Sequence, residues 1–209
     1  MSKSSQSEEN LNLPEDPLQG FQQWLAEAEK AGLPEPTAMT LATATPDGKP
    51  SARIVLFKGM GVSVDGQQGL RFFTNYKSPK SQDLAANPFA ALAFFWSGLY
   101  RQLRIEGSIE KLSPVESDIY FQSRPRGSRV GAWASPQSQK ISSRANLLKL
   151  VSDAEIKFTN QEIPCPDDWG GWLLKPDRIE FWQAGEFRLH DRFEYIRTGS
   201  TWQCNRLAP

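Results

Sequence analysis

Short apolar or alternating runs, separated by turn residues, recur along this chain and constrain its fold more than any other feature. They cover residues 38–44, 51–58, 69–75, 89–96, 102–112, 171–174, 179–183, 192–197 and 201–207. Pro46-Asp47-Gly48 lies between the first two runs and predicts a hairpin turn. Because the runs follow one another as hairpins rather than as βαβ units, we expect a mainly β protein, an antiparallel barrel with helices packed around it.

Helix signals lie between the strand runs. Asp16 is placed as an N-cap and Pro17 as the first helical residue, and Leu18, Phe21 and Leu25 recur on one face of the helix that follows. A Ser-x-x-Glu capping box begins the third helical segment. The further segments that predict helices are residues 78–86, 113–121 and 142–158.

Composition limits the partners and the setting of the protein. Lys and Arg number 24 and Asp and Glu number 24, so we expect no general attraction to nucleic acid or to an anionic membrane. No apolar run approaches a membrane span and no signal-peptide pattern is present, so we expect a cytoplasmic protein. Cys165 and Cys204 form no metal motif, and we expect no bound metal. Residues 1–15 are polar and are expected to be a disordered tail, which leaves residues 16–209 as one domain.

The single histidine, His190, lies between Arg188 and Arg192 at a spacing of two. In an extended strand such residues face one way, so the three side chains would offer donors to one anionic, planar ligand. The alternative is a solvated strand face on which Asp191 balances the charge.

Three other segments could hold phosphate groups. Residues 74–80 combine hydroxyls, a helix N-terminus and Lys80, and residues 123–129 are read as a basic loop after a helix. Arg53 and Lys58 stand at the two ends of an apolar strand, on opposite faces, where each could reach a different anionic group. Strand-end charge and a solvated basic loop are the alternatives for these segments.

No nucleophile–base pair is visible, which makes hydrolysis a poor interpretation. Several phosphate-binding segments, together with 7 Trp and 12 Phe, indicate instead a bound cofactor that carries the chemistry. The remaining alternative, a nucleic-acid-binding barrel, is disfavoured by the zero net charge.

Taken together, these segments resemble the pyridoxine/pyridoxamine 5'-phosphate oxidase family. The resemblance extends from about residue 16 to residue 209. The segments that carry it include residues 53–58, 73–75, 123–126, 131–135, 137–138, 169–171, 179–183, 188–192 and 206–209.

The resemblance implies an FMN-binding split barrel, an antiparallel barrel of the six-stranded type with surrounding helices, that assembles as a homodimer. It implies oxidation of pyridoxine or pyridoxamine 5'-phosphate to pyridoxal 5'-phosphate, with electrons passing through FMN to O2 and hydrogen peroxide as product. A protein of the same fold that binds FMN or pyridoxal phosphate without turnover is the alternative. Two departures are Pro79, where the family often has Arg, and residues 1–15, which lack the Arg and Tyr of the family's N-terminal lid.

The resemblance also implies the residues of the site. Those implied to contact FMN are Arg53, Ile54, Val55, Leu56, Lys58, Phe73, Thr74, Lys80, Gln102, Gln137, Ser138, Trp182 and Arg192. Those implied to contact substrate are Lys58, Tyr120, Arg124, Ser128, Arg188 and His190, of which Arg188 and His190 are the expected catalytic residues.

Overall fold

The structure is a computed structural model that describes residues 11–209. Its helices are α1 (Pro17–Lys30), α2 (Pro79–Ala86), α3 (Pro114–Ser123), α4 (Arg126–Ala134) and α5 (Arg144–Lys157). Its strands are β1 (Ala38–Ala44), β2 (Pro50–Leu56), β3 (Met60–Val62), β4 (Gln68–Asn75), β5 (Phe89–Trp96), β6 (Arg101–Lys111), β7 (Trp169–Gln183), β8 (Asp191–Thr198) and β9 (Thr201–Leu207). The expected tail falls mostly on residues 1–10, which lie outside the described residues.

The strands of the described chain form one nine-stranded antiparallel sheet. Its order is β2-β1-β5-β6-β7-β4-β3, and β8 and β9 continue from β7 as a meander. Beyond β2, the Lys58 N–H donates to the Arg71 carbonyl at 2.8 Å and the Arg71 N–H donates to the Gly59 carbonyl at 3.0 Å. These bonds join the segment after β2, at one end of the strand order, to β4, near the other end. They confirm the expected antiparallel barrel.

Helix α1 covers the apolar interior of the barrel. It begins as expected, because the Asp16 carboxylate accepts the Leu18 N–H at 2.9 Å. Phe21 is fully buried and its ring lies 5.2 Å from that of Phe94 on β5. Trp24 meets Phe181 of β7 edge-to-face at 4.9 Å. The buried face of α1 thus joins the helix to both halves of the sheet.

A second, smaller core lies between β4, β7 and the helices α3 to α5. Phe121, Val130, Phe158 and Ile163 are buried there with Trp169 at the start of β7. The capping box that begins α3 is present, with reciprocal bonds between Ser113 and Glu116. This cluster sets α3 beside β4, where one part of the candidate site is built.

Several elements differ from the expectation, and one of them is β3, for which no strand was predicted. The sequence predicts two separate strands at residues 171–174 and 179–183, but β7 runs unbroken through Pro176, and its pairing with β6 shifts register between Glu106 and Gly107. A bulge accommodates a proline that lacks an N–H, and so the strand continues. The sequence predicts a basic loop at residues 123–129, but α4 begins at Arg126, because Val130 and Ala134 are buried in the helix despite its weak local propensity.

None of the helices formed by residues 11–209 combines the length and the apolar character that crossing a membrane would require.

Candidate functional site

The first part of the site is a group of polar side chains at the start of α2, here called the Lys80 cluster: Arg53, Thr74, Ser78, Lys80 and Gln137. The Lys80 ammonium lies 3.2 Å from each of three oxygens, Thr74 Oγ1, Ser78 Oγ and Gln137 Oε1. Thr74 also donates to Gln137 Oε1 at 3.0 Å. The strand end, the helix start and the loop after α4 therefore converge on one ammonium group.

Arg53 adds a second cation to this cluster. It stands opposite Leu41 in the β1–β2 register and donates to Thr43 Oγ1 at 2.8 Å and to Ser51 Oγ at 2.6 Å. Burial lowers the pKa of Lys80, and the charge of Arg53 lowers that pKa further. Within residues 11–209 neither cation forms an ion pair. Two half-buried cations that are each in contact with hydroxyl groups suit a phosphate.

The second part is an aromatic stack that carries a cation, here called the Tyr120 cluster: Phe73, Tyr120, Arg124 and Trp169. The rings of Phe73 and Tyr120 stack at 3.9 Å, and the Phe73 and Trp169 rings stack at 5.6 Å. The Arg124 guanidinium lies 4.7 Å above the Trp169 ring. Phe73 directly precedes Thr74 on β4, so the two clusters occupy adjacent positions on opposite faces of that strand.

Arg124 has an N–H donor that is available to a ligand. Its Nη1 is buried and has no hydrogen-bond partner within the described chain. Burial lowers the pKa of Arg124 and raises that of Tyr120. A buried donor left unsatisfied is costly. An anionic ligand beside Tyr120 would supply the missing acceptor.

Arg71 is a further candidate site residue that was not predicted from the sequence, although it faces the same side of β4 as Phe73. With Phe73 and Tyr120 it lines a cavity of about 210 Å³, and its Nε is buried without a hydrogen-bond partner within the described chain. The spacing of two between Arg71 and Phe73 is the signal that could have found it. Lys58 lies beyond β2, where its backbone pairs with that of Arg71, and Ser128 is exposed in the first turn of α4.

The third part lies across β6, β7 and β8 and is here called the Trp182 group: Gln102, Trp182, His190 and Arg192. Gln102 is opposite Trp182, and Trp182 is opposite Arg192. The His190 ring lies 4.7 Å from that of Trp182, and its Nδ1 accepts the Gly185 N–H at 3.1 Å. The neutral His190 ring therefore carries its hydrogen on Nε2, which is left as a donor.

The expectation of one extended row from Arg188 to Arg192 is wrong. The chain reverses between β7 and β8, and Glu186–Arg188 forms a 3-10 turn in which Phe187 and Arg188 have positive φ values of 54° and 66°. Of the three residues only Arg192 lies within a strand, and His190 lies immediately before the first residue of that strand, Asp191. Arg188 is therefore exposed at the tip of the hairpin rather than aligned with the other two.

The structure brings some of the expected residues together and separates others. None of the hydrogen bonds, ion pairs or ring contacts found among residues 11–209 joins the Trp182 group to the Lys80 or Tyr120 clusters. Ile54, Val55 and Leu56 follow Arg53 on β2, with Ile54 exposed, and Ser138 follows Gln137 with a φ of 66°. One copy of the chain thus presents the expected site in two separate halves.

Two family models match this chain. Residues 25–155 match the model described as pyridoxamine 5'-phosphate oxidase. Residues 169–209 match the model described as the pyridoxine 5'-phosphate oxidase C-terminal dimerisation region. The first match contains β2, β4 and α2, and the second contains β7, β8 and β9.

Individual relatives agree with these matches. A protein of Pseudomonas paraeruginosa named pyridoxine/pyridoxamine 5'-phosphate oxidase is 52% identical over 200 residues, which cover 95% of this chain and 91% of the relative. The crystal structure of PhzG from Burkholderia lata, in complex with tetrahydrophenazine-1-carboxylic acid, is 31% identical with a TM-score of 0.86 and 95% of both chains covered. A pyridoxamine 5'-phosphate oxidase-related, FMN binding protein from Nostoc punctiforme shares the fold at 19% identity, with a TM-score of 0.72 over 94% of this chain and all of the other.

Proposed function

This chain belongs to the pyridoxamine 5'-phosphate oxidase family, and from that premise we propose that it oxidises pyridoxamine and pyridoxine 5'-phosphate to pyridoxal 5'-phosphate with FMN as cofactor. Dioxygen takes up the electrons and leaves as hydrogen peroxide. With the alcohol the aldehyde forms directly, and with the amine one water enters and ammonia leaves. The reaction takes place in the cytoplasm, a reducing setting that suits the free thiols of Cys165 and Cys204.

The observation that carries this proposal is the presence of two separate cation sites. The reaction needs two phosphorylated molecules, the cofactor and the substrate. The Lys80 cluster offers an ammonium, a guanidinium and hydroxyls, with no paired acid among residues 11–209, and it would hold the FMN phosphate. The Tyr120 cluster offers the unsatisfied Arg124 Nη1 beside a phenol, and with Lys58 and Ser128 it would hold the substrate phosphate.

The chain's own groups bind and orient, and the flavin, when bound, supplies the acceptor for the hydrogen that leaves C4' of the substrate. His190 Nε2 is a donor in the neutral ring and would contact a substituent of the pyridine. Arg188 extends from the hairpin tip, where a ligand could order it. Correct placement of the reacting carbon is the main catalytic requirement in such a site.

The two halves of the site come from two copies of the chain. The Lys80 and Tyr120 clusters of one protomer would face the Trp182 group of its partner across a homodimer interface. Support comes from the match of residues 169–209 to a dimerisation region and from the exposure of Phe187 and Leu189 at the hairpin tip. An exposed apolar tip next to binding residues is typical of a surface that another subunit covers.

The activity is tested with purified protein and both phosphorylated substrates. We expect a yellow protein with flavin absorbance that releases peroxide with pyridoxamine 5'-phosphate and with pyridoxine 5'-phosphate. A yellow protein that releases no peroxide with either substrate would overturn the proposed turnover and favour a flavin-binding role alone.

The shared site is tested by subunit complementation. Lys80→Ala and Arg192→Ala homodimers should each bind flavin poorly. In a mixed dimer, one of the two sites would combine the intact Lys80 of one protomer with the intact Arg192 of its partner, so activity should return. If both residues served the same site from one chain, every site of the mixed dimer would carry one substitution and no activity would return.

A further inference from the structure

We propose that Glu180 is a positioning residue that holds Arg192 toward the flavin, and that the main-chain carbonyl of Ala208 completes this clamp. The inference rests on the proposed function, because it takes Arg192 as a flavin contact. It assigns a role in flavin binding to the Glu180 carboxylate and the Ala208 carbonyl, two groups that do not themselves contact the ligand.

Arg192 is held at two of its three nitrogens. Its Nε lies 3.0 Å from Glu180 Oε1, and its Nη1 donates to the Ala208 carbonyl at 2.9 Å. A guanidinium has five N–H donors in a rigid plane, so these two contacts fix both the position and the tilt of the plane. The remaining donors, on Nη1 and Nη2, are left for a ligand beside Trp182, the cross-strand neighbour of Arg192.

Glu180 is itself firmly placed. It lies on β7 and is only 3% exposed. Its other oxygen, Oε2, lies 3.3 Å from Nη1 of Arg104, which stands directly opposite on β6. A carboxylate buried between two guanidiniums on the neighbouring strands cannot turn away without leaving a charge unpaired. Glu180 therefore transmits the rigid geometry of the sheet to the Arg192 side chain.

The Ala208 carbonyl acts from the other side. Strand β9 pairs with β8 so that Leu207 stands opposite Arg192, and the next residue places its carbonyl on the guanidinium. Loss of either contact would free a long side chain that binding must then order again. Ordering one such side chain corresponds to an affinity change on the order of tenfold.

The matched control for Glu180 is Glu194, a buried carboxylate on β8 that pairs with Arg178 and has no described contact with Arg192. We compare Glu180→Met with Glu194→Met by titrating apoprotein with FMN and by thermal unfolding of the apoprotein. We expect both variants to lose thermal stability, and only Glu180→Met to raise the FMN dissociation constant, by about tenfold. Equal dissociation constants for the two variants would overturn the inference.

Milder variants keep the test decisive if the methionine variant does not fold. Glu180→Gln retains an acceptor for Arg192 and should bind FMN more tightly than Glu180→Met. If Glu180→Met does not fold, Glu180→Gln is compared with Arg192→Ala and should lose less FMN affinity than that variant. A chain that ends at Leu207 lacks the Ala208 carbonyl and should weaken FMN binding several-fold without a change in thermal stability. Full FMN affinity in both the Gln variant and the shortened chain would refute the clamp.

A double-variant cycle separates this inference from the proposed function. If Arg192→Ala leaves the FMN dissociation constant unchanged, the assignment of Arg192 to the flavin is wrong, and with it the proposed site. If Arg192→Ala weakens FMN binding, Glu180→Gln combined with Arg192→Ala should weaken it no further, because Glu180 acts through Arg192. Additive losses would show that Glu180 does not act through Arg192.

Discussion

Two regions of this protein treat their cations in opposite ways. In the Lys80 and Tyr120 clusters, half-buried cations have hydroxyl, amide or aromatic neighbours but no paired acid within the described chain. On β6, β7 and β8, alternating charges form what is here called the charge ladder, in which every arginine meets a carboxylate. Its members are Arg104, Glu106, Arg178, Glu180, Arg192 and Glu194.

The difference separates charges that stabilise the fold from charges that are available to bind a ligand. A paired charge in the ladder already has its partner, so it fixes strand register and side-chain direction. An unpaired, partly buried cation raises the free energy of the folded apoprotein, which is why burial lowers the pKa values of both Lys80 and Arg124. That cost is recovered when an anion binds. Arg192 is the proposed link between the two groups, since Glu180 of the ladder holds it and its remaining donors are proposed to contact the flavin.

The largest expected effect lies at the hairpin beyond the ladder. Arg188→Ala and His190→Ala should each lower the rate of peroxide production by on the order of 10²-fold, because a misplaced reacting carbon loses its alignment with the flavin. Flavin content should stay at the level of the unaltered protein. The two quantities are measured on the same preparations. Loss of yellow colour in Arg188→Ala, with full colour and lost activity in Arg192→Ala, would reverse the roles of the two arginines.

The next largest effect is expected on FMN binding, at one of the cations without a paired acid in the described chain. Lys80→Ala should weaken FMN binding by about 1.5–3 kcal/mol, the value of a charge-assisted contact, which is roughly a 10- to 150-fold rise in the dissociation constant. The control is Lys77→Ala, because Lys77 is exposed and already pairs with Asp168 at 3.0 Å. That variant should change FMN affinity very little. An unchanged dissociation constant for Lys80→Ala would mean that the start of α2 is not the phosphate site.

A third pair of variants should differ in their effect on the stability of the apoprotein. Arg178→Met leaves the buried Glu194 carboxylate without its partner and should lower the free energy of unfolding by about 1–3 kcal/mol. Arg124→Met removes a guanidinium whose Nη1 has no hydrogen-bond partner among residues 11–209, so the apoprotein should keep or gain stability while the KM for either substrate rises. Denaturant unfolding and steady-state kinetics check the two. A clear loss of apoprotein stability in Arg124→Met would break the comparison.

The smallest effect is a dependence on pH. Because the pKa of Lys80 is lowered from its ordinary 10.5, the folded apoprotein releases this proton at a lower pH than the unfolded chain. Between the two pKa values the unfolded state binds more protons, so this lysine makes the apoprotein more stable as pH rises. FMN affinity should fall over the same window, since the phosphate needs the ammonium form. In FMN titrations at increasing pH, Lys80→Arg should flatten that fall, and an identical decline in this variant would exclude Lys80 as its source.

Parts of the fold could be predicted closely from the sequence because their signals are local. Strands β1, β5 and β9 and the capped start of α1 lie where the apolar runs and Asp16-Pro17 placed them. The 3-10 turn before His190 and helix α4 were not predicted, since neither a turn at Glu186–Arg188 nor a helix with two glycines has a strong local signal. Helix α4 forms because Val130 and Ala134 are buried against neighbouring elements, whereas the 3-10 turn has no buried residue and lies where the chain reverses between β7 and β8.

The candidate site divides in the same way. Most residues of the Lys80 and Tyr120 clusters could be named from their chemistry and from the family resemblance, but Trp169 was not among them, and their convergence could not be predicted. Lys80 and Gln137 are far apart in sequence and meet only because β4, α2 and the loop after α4 pack together. Arg71 was missed because its role depends on a cavity, and a cavity has no signature in a linear pattern.

By itself the sequence determined the position of most strands and that they would form an antiparallel barrel, and it predicted which cations could meet phosphates. Those properties follow from periodicity, turn residues and side-chain chemistry, all of which act over a few neighbouring residues. Only the tertiary structure decided which cations received a carboxylate and which did not. Glu180 holds Arg192, while Arg124 Nη1 has no hydrogen-bond partner in the described part of the chain. Strand register and helix packing, set by contacts between distant residues, determine which charges come within reach of one another.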